Sequence, residues 1–174
     1  MGDSAMAVVA IIVATIIMGV FPLMAMANQT DKTSNLAVQT ATTEFVNNVR
    51  TTGMLRLSDY ESFTSNLVAT GNSYDTEISI QVLDENPAKK TTTGTVIGDN
   101  VYYTKYTTQV MEELSGNKKI QLKEGDIISV KVENTNTTIA HQLRNFIYKV
   151  TGNSSSTITA EASGMVTTTG TTTK

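Results

Sequence analysis

An uninterrupted apolar segment near the start of the chain constrains its fold more than any other feature. No charged residue occurs in residues 4–30, and residues 5–26 are almost wholly apolar. As a helix with a rise of about 1.5 Å per residue, this segment is about 33 Å long, enough to cross a hydrocarbon core of about 30 Å. A buried helix of a soluble protein usually keeps a polar stripe, which this segment lacks. We therefore predict a membrane-inserting segment in residues 1–27.

Two fates of this segment are open: permanent anchoring and removal as a secretory signal. Ala25 and Ala27 form an A-x-A cleavage pattern before Asn28. However, the first four residues carry an acid and no base, and the apolar run exceeds the roughly 15 residues of a signal. The sequence favours a permanent transmembrane anchor, with cleavage after Ala27 as the alternative.

The charges beside the segment say little about its orientation. No basic residue precedes the segment in the sequence, and Lys32 after it, beside Asp31, favours a cytoplasmic C-terminal domain by a single charge. The remainder is rich in Thr, Ser and Asn and contains no Cys, a composition typical of exported surfaces. We expect a single-pass cell-membrane protein with an extracytoplasmic C-terminal domain, in contact with membrane lipid.

Charge and composition exclude several classes of function. The net charge of −3 provides no basic surface for phosphate backbones, so we expect no nucleic-acid partner. The chain has no Cys, which excludes disulfides, thiolate metal sites and Cys nucleophiles.

The periodicity of apolar residues predicts an α+β fold beyond the membrane. The apolar stripe of residues 36–50 extends the N-terminal helix to about residue 52, with a kink at Pro22 and an end at Gly53. A second helix begins at a Ser58–Glu61 capping box and closes at Gly71. Further helices are predicted at 101–114, where the first residues also suit a strand, and at 136–150; strands are predicted at 76–83, 127–133 and 157–166. We expect a roughly three-stranded sheet covered by helices over residues 28–166, followed by a disordered Thr-rich tail at 167–174.

No pattern in the sequence predicts catalysis. His141, the one histidine, falls in the polar sector of a predicted helix without a neighbouring nucleophile. The carboxylates are scattered and lack the spacing of a calcium loop. We predict no enzyme activity, no catalytic residues, no metal and no cofactor. If the domain binds a ligand, its aromatic candidates are Tyr102, Tyr103 and Tyr106.

The layout resembles that of type IV pilin-like proteins, in which an apolar segment continues into an amphipathic helix and a small α+β domain. The likeness is closest to the TadE-like pseudopilins and minor pilins of tight-adherence (Tad) pilus systems. It is carried by Gly2-Asp3 before the apolar run, by Pro22 within it, and by the stretch AVQTATTEFVNNVRTTGMLRLSDYESF.

The resemblance implies a structural role, as a subunit of a pilus or of a secretion or adhesion system. A prepilin peptidase would cleave after Gly2 and leave Asp3 as the first residue; Ala7 occupies the fifth position, where the family has Glu. An uncleaved, anchored accessory subunit fits equally well. The implied partners are other pilin-like subunits, in a homo- or hetero-oligomer, and assembly-platform proteins. Small residues would allow close packing of the membrane helices: Ala5, Ala7, Ala10, Ala14 and Gly19.

Overall fold

The computed structural model of the chain describes residues 2–84, 102–136, 142 and 158–170. The described part is α+β, as predicted, and combines one long helix with two shorter helices and two antiparallel sheets. The helices are α1 (Gly2–Thr52), α2 (Leu57–Val68) and α3 (Thr107–Asn117). The strands are β1 (Met54–Arg56), β2 (Tyr74–Leu83), β3 (Tyr102–Lys105), β4 (Lys119–Gln121), β5 (Ile127–Asn134) and β6 (Thr159–Met165).

The helix α1 has 51 residues and is therefore about 77 Å long. Its end at Thr52 is as predicted, because Gly53 has a φ of +64° that a further helical residue does not adopt. The first half projects from the domain, whereas the second half lies in the hydrophobic core through Val38, Val46 and Val49. The helix is thus both the apolar projection and a core element of the domain.

The main sheet has the strand order β3-β2-β5-β6, and all neighbouring strands are antiparallel. Its register aligns apolar residues from three strands in rows, for example Ile78, Val130 and Ala162. Since paired residues of an antiparallel sheet share a face, these rows form one apolar face, which contributes to the core with α1 and α3. The opposite face carries polar rows such as Ser79, Ser129 and Ser163.

Five elements have the predicted type and approximate position, whereas three short strands were not among the predicted strands. The predicted strands at 76–83, 127–133 and 157–166 correspond to β2, β5 and β6, and the first two predicted helices to α1 and α2. The described residues contain six strands instead of three, because β1, β3 and β4 have only three or four residues each. Such strands are too short to show an alternating pattern.

Two predicted helix starts are wrong. The predicted helix at 101–114 starts only at Thr107, as α3. The residues before it form strand β3, which confirms the strand alternative for this β-branched and aromatic start. The helix α2 begins at Leu57 with Arg56 as its N-cap, and not at the predicted capping box of Ser58. The predicted helix at 136–150 lies outside the described residues, except for its first residue, Asn136, which is not helical, and for Gln142, which is helical.

The structure differs from the predicted disordered tail over residues 167–170. The Thr167 N–H donates to the Arg50 carbonyl (3.1 Å), and the Gly170 N–H donates to the Leu122 carbonyl (3.0 Å). The Glu124 N–H donates to Thr169 Oγ1 at 3.2 Å. This segment of Thr and Gly is therefore part of the domain, because backbone contacts hold it in spite of its simple composition. Residues 171–174 lie outside the described residues.

Candidate membrane anchor and its junction with the domain

The first half of α1 exposes apolar side chains along most of its length. Met18 is 82% exposed and Phe21 is 74% exposed, and Val13, Ile16 and Ile17 are 48–56% exposed. Among the described residues, one helical stretch, Ser4–Thr52, is long and apolar enough to cross a membrane, with a mean hydropathy of 2.7 in a window that is not buried at all. Membrane anchors and signal sequences share these properties.

The continuous helix separates the small residues predicted for packing into two groups. At about 100° per residue, Ala7, Ala10 and Ala14 fall within an arc of about 60°. Ala5 and Gly19 lie on roughly the opposite side of the helix. A Cβ added at Gly19 would meet no atom within 4 Å, so this position faces open space. The chain therefore offers two different lines of small residues to a neighbouring helix.

The predicted kink residue and the predicted processing positions all lie within α1. The helix continues on both sides of Pro22, which has no N–H to donate to the preceding turn. Ala25 and Ala27 are helical as well, and Gly2 and Asp3 belong to the first turn. None of these positions is therefore separated from the helix by a loop.

Hydroxyl groups of the projecting half are satisfied within the helix itself. Thr15 Oγ1 donates to the Ile11 carbonyl at 2.8 Å, and Thr30 Oγ1 donates to the Met26 carbonyl at 3.1 Å. Because a polar group without a partner is costly in hydrocarbon, this bond makes Thr15 compatible with a bilayer.

A polar junction separates the apolar half from the core half. Residues 28–33 read Asn, Gln, Thr, Asp, Lys, Thr, and Ser34 is the first buried residue among the described ones. From Ser34 onwards, one face of the helix is buried at intervals of three and four residues, through Val38, Thr42 and Val49 among others. The domain therefore starts about one helical turn after the charged pair Asp31-Lys32.

The core half of α1 is fixed to the domain by aromatic stacking and by hydrogen bonds to a strand edge. The rings of Phe45 and Phe63 on α2 stack with centroids 4.5 Å apart. Gln39 Nε2 donates to the Glu161 carbonyl (3.3 Å), and Arg50 Nε donates to the Met165 carbonyl (2.9 Å). Both carbonyls belong to β6, which lies at one end of the strand order in the described sheet, so these bonds occupy two acceptors of an outer strand.

Arg50 bridges α1 and the sheet, a role that no pattern in the sequence predicts. The residue in the sequence that corresponds to this bridge is Gly164. A Cβ at this position would lie under 3.0 Å from the Arg50 side chain. A glycine within a predicted strand indicates such a close approach, but it does not reveal the partner.

The described residues contain no group of three or more His, Cys, Asp or Glu side chains that could hold a metal ion. Glu112 and Glu113 are adjacent carboxylates on α3. Glu113 forms an ion pair with Lys105, whose Nζ donates to Glu113 Oε2 at 2.8 Å. His141 lies outside the described residues.

The three candidate tyrosines differ in exposure. Tyr103 and Tyr106 are 43% and 66% exposed, whereas Tyr102 is partly buried and its hydroxyl donates to the Gly125 carbonyl at 3.3 Å. Tyr106 lines an open groove of about 570 Å³ with Thr107, Ser129 and Lys131.

Comparison of the chain with protein families, with curated proteins and with solved structures gives no significant match.

Proposed function

We propose that this chain is a membrane-anchored, pilin-like structural or assembly subunit of a type IV (Tad-like) pilus or of a related secretion or adhesion system. The observation that carries the proposal is the division of α1 into an exposed apolar half and a half buried in an α+β domain. This arrangement links a membrane span to a compact domain without a flexible connection.

The mechanism that we propose is physical. In a bilayer, the apolar half of α1 is solvated by lipid, and the domain is held outside the cytoplasm at the membrane surface. The small residues of the helix allow neighbouring helices to approach closely, so a subunit can exchange lipid contacts for helix contacts. Other pilin-like subunits and an assembly platform are the partners in this proposal.

The first experiment determines the N-terminal residue and the membrane partition of the protein made in its own cell. An intact Met1 in the membrane fraction supports a static anchor, and a start at Asp3 supports processing after Gly2. A protein that begins at Asn28 and is free in the medium contradicts the proposal.

A second candidate function is a secreted or surface binding domain released by cleavage after Ala27. The observation that favours it is the position of the core, which begins at Ser34 in the described residues, so cleavage removes no buried side chain. Tyr106 and its groove would then be the first place to search for a ligand. The same N-terminal determination separates the two candidates.

A further inference from the structure

The A-x-A pattern before Asn28 is accessible in the structure, but its backbone is helical. Ala25 is exposed and Ala27 is only partly buried, so the fold does not hide either side chain. Both residues belong to α1, which continues without interruption to Thr52. Inside a helix, each backbone N–H is bonded to the carbonyl four residues earlier. What separates this site from a peptidase is therefore its backbone conformation and not burial.

A peptidase needs a different conformation around the Ala27–Asn28 bond. An extended peptide is bound through main-chain hydrogen bonds, as an added strand in the cleft of its partner. In α1, the N–H groups of Asn28 and Gln29 are directed instead to the carbonyls of the preceding turn. Cleavage after Ala27 therefore requires this turn of the helix to unwind first.

The residues around the site do little to keep the helix closed. Most of the polar junction, residues 28–33, consists of types with low helix propensity: Asn28, Thr30, Asp31 and Thr33. On the other side of the site, Pro22 has no N–H for the Met18 carbonyl. A short helix of such composition is marginal in water on its own. The helical state of the site therefore has to be imposed from outside the junction.

Two flanking parts of α1 impose it. In a bilayer, the apolar half stays helical because its backbone groups find no other partners in hydrocarbon. On the other flank, Ser34 and Val38 are 6% and 0% exposed and fix α1 in the domain directly after the junction. If the domain unfolds, this flank is lost and the junction becomes the end of a membrane helix, where helices fray. The helical state of the site therefore depends on the folded domain.

We infer that folding of the domain closes the cleavage site after Ala27 and thereby makes α1 a permanent anchor. While the domain is unfolded, the site opens to a signal peptidase. Water then adds across the Ala27–Asn28 peptide bond and leaves a carboxylate on Ala27 and an amine on Asn28. The inference rests on the proposed membrane anchoring, and it makes the two fates of the segment the outcomes of one competition between folding and processing.

The first test changes the helix and keeps the site. Full chain is incubated with purified signal peptidase, in detergent micelles and in liposomes of phosphatidylethanolamine and phosphatidylglycerol, and N-terminal sequencing follows the product that begins at Asn28. Thr33→Pro removes a backbone donor and clashes with the preceding turn, so it opens the helix after the site. We expect it to be cleaved at least about tenfold faster than the parent chain.

Two further variants control this test. Thr33→Ala, at the same exposed position, keeps the helix and should be as resistant as the parent chain. The double variant Thr33→Pro/Ala27→Leu should not be cleaved, because the site requires small residues.

The second test changes the domain and leaves α1 as it is. Ile80 is fully buried in β2, and Ile80→Ala should destabilise the domain enough to raise cleavage by about tenfold or more. Val68→Ala, at an exposed position of α2, is the matched control and should be cleaved like the parent chain. Chemical denaturation of each chain measures the loss of stability independently of cleavage.

The outcomes separate this inference from the proposed function. A parent chain that is cleaved as fast as Thr33→Pro overturns the inference, and so does a Thr33→Pro chain that stays intact. Equal cleavage of Ile80→Ala and Val68→Ala, with the former measurably less stable, also overturns it, because the domain then does not control the site. A parent chain that stays intact but does not enter liposomes contradicts the anchoring alone, since the rates in micelles still report the closed site.

Discussion

Gly53 and Gly170 meet backbone to backbone, and the contact leaves no space for a side chain on either residue. A Cβ at Gly53 would lie under 3.0 Å from backbone atoms of residues 168–170, and a Cβ at Gly170 would lie as close to the Gly53 carbonyl. Leu122 bonds to both residues: its N–H donates to the Gly53 carbonyl (2.8 Å), and its carbonyl accepts from the Gly170 N–H (3.0 Å). The end of α1, the start of β1 and the C-terminal segment are therefore joined at one point.

The first prediction concerns this contact. Gly170→Ala should lower the free energy of unfolding by about 1–3 kcal/mol, because the backbone on both sides has to move apart. Gly53→Ala causes the same clash and also places an alanine at a φ of +64°, so it should lower the free energy of unfolding by more than Gly170→Ala does. Chemical denaturation of the domain measures both. Gly116→Ala is the control, since its Cβ meets nothing within 4 Å, and it should be neutral or slightly stabilising. Equal stability of all three variants would contradict the contact.

The second prediction concerns Thr107, whose hydroxyl bonds both backbone groups of Ile78. Thr107 Oγ1 accepts from the Ile78 N–H (2.9 Å) and donates to the Ile78 carbonyl (3.1 Å), where β2 extends beyond its pairing with β3. Thr107→Val keeps the shape and loses both bonds, so it should cost about 1–3 kcal/mol. Thr107→Ser keeps the hydroxyl and should cost clearly less. A Val variant as stable as the Ser variant would show that the bridge contributes nothing.

The third prediction concerns Asp126, a carboxylate that is only 2% exposed. Its Oδ1 accepts from the Leu83 N–H at 3.0 Å and its Oδ2 from the Lys123 N–H at 2.8 Å. Asp126→Ala removes the acceptor of both N–H groups. It should lower the free energy of unfolding by about 1–3 kcal/mol for each N–H that stays unpaired. Asp126→Asn keeps one acceptor oxygen and should fall between Ala and the parent chain. Thermal unfolding of the series checks this order, and an Asn variant less stable than Ala would refute it.

The fourth prediction concerns the alkaline limit of stability. Burial raises the pKa of Tyr60 above 10.0, and the charge of Asp75 raises it further. The neutral phenol is therefore favoured in the folded state, and the stability from this difference is present below pH 10 and is lost as the pH rises through the folded-state pKa. Tyr60→Phe should unfold with a weaker pH dependence above about pH 10. Denaturation at several alkaline pH values measures it, and identical pH profiles for both chains would contradict it.

The fifth prediction separates the two lines of small residues on α1. Ala14→Leu adds bulk to the side of Ala7 and Ala10, and Gly19→Leu adds bulk to the side of Ala5. If the helices associate through small residues, the variant on the packing side should weaken self-association by about tenfold or more, because the helices can no longer approach closely. Energy transfer between labelled copies in lipid vesicles measures this, and the other variant is the control for insertion. Unchanged association of both variants excludes packing at either position.

The sequence predicted the elements that are long and periodic and missed those fixed by distant contacts. The apolar run of α1 and the alternation of Ile78, Ile80 and Val82 in β2 are local signals, and both elements lie where they were expected. The strands β1 and β4 have three residues each and exist because Leu55 pairs with Ile120, which no local pattern reveals. The segment around Gly170 has the composition of a disordered tail, but its position is set by Gly53, far earlier in the chain.

The candidate membrane anchor and its junction with the domain could also be predicted only where the signal is local in the sequence. The long apolar segment follows from length and hydropathy alone, and so does its transition to polar residues at Asn28. The open groove between α1 and the end of α2 does not, because Gln29 and Asn66 line the same groove only through the return path of α2 along α1. An exposed Asn on a predicted helix carries no signal that distinguishes it from any other surface residue.

The shared helix α1 also determines how the domain responds to mechanical load. A pull on the apolar half of α1 acts along the helix axis and reaches Val38, Val46 and Val49 without an intervening hinge between Ser34 and Thr52. These contacts are then loaded in shear together with the bonds from Gln39 and Arg50 to β6, so many interactions have to yield at once. At the far end of the helix, the C-terminal segment crosses Gly53 and resists the helix sliding out of the core. The fold is therefore suited to transmit tension from its apolar end into the whole domain.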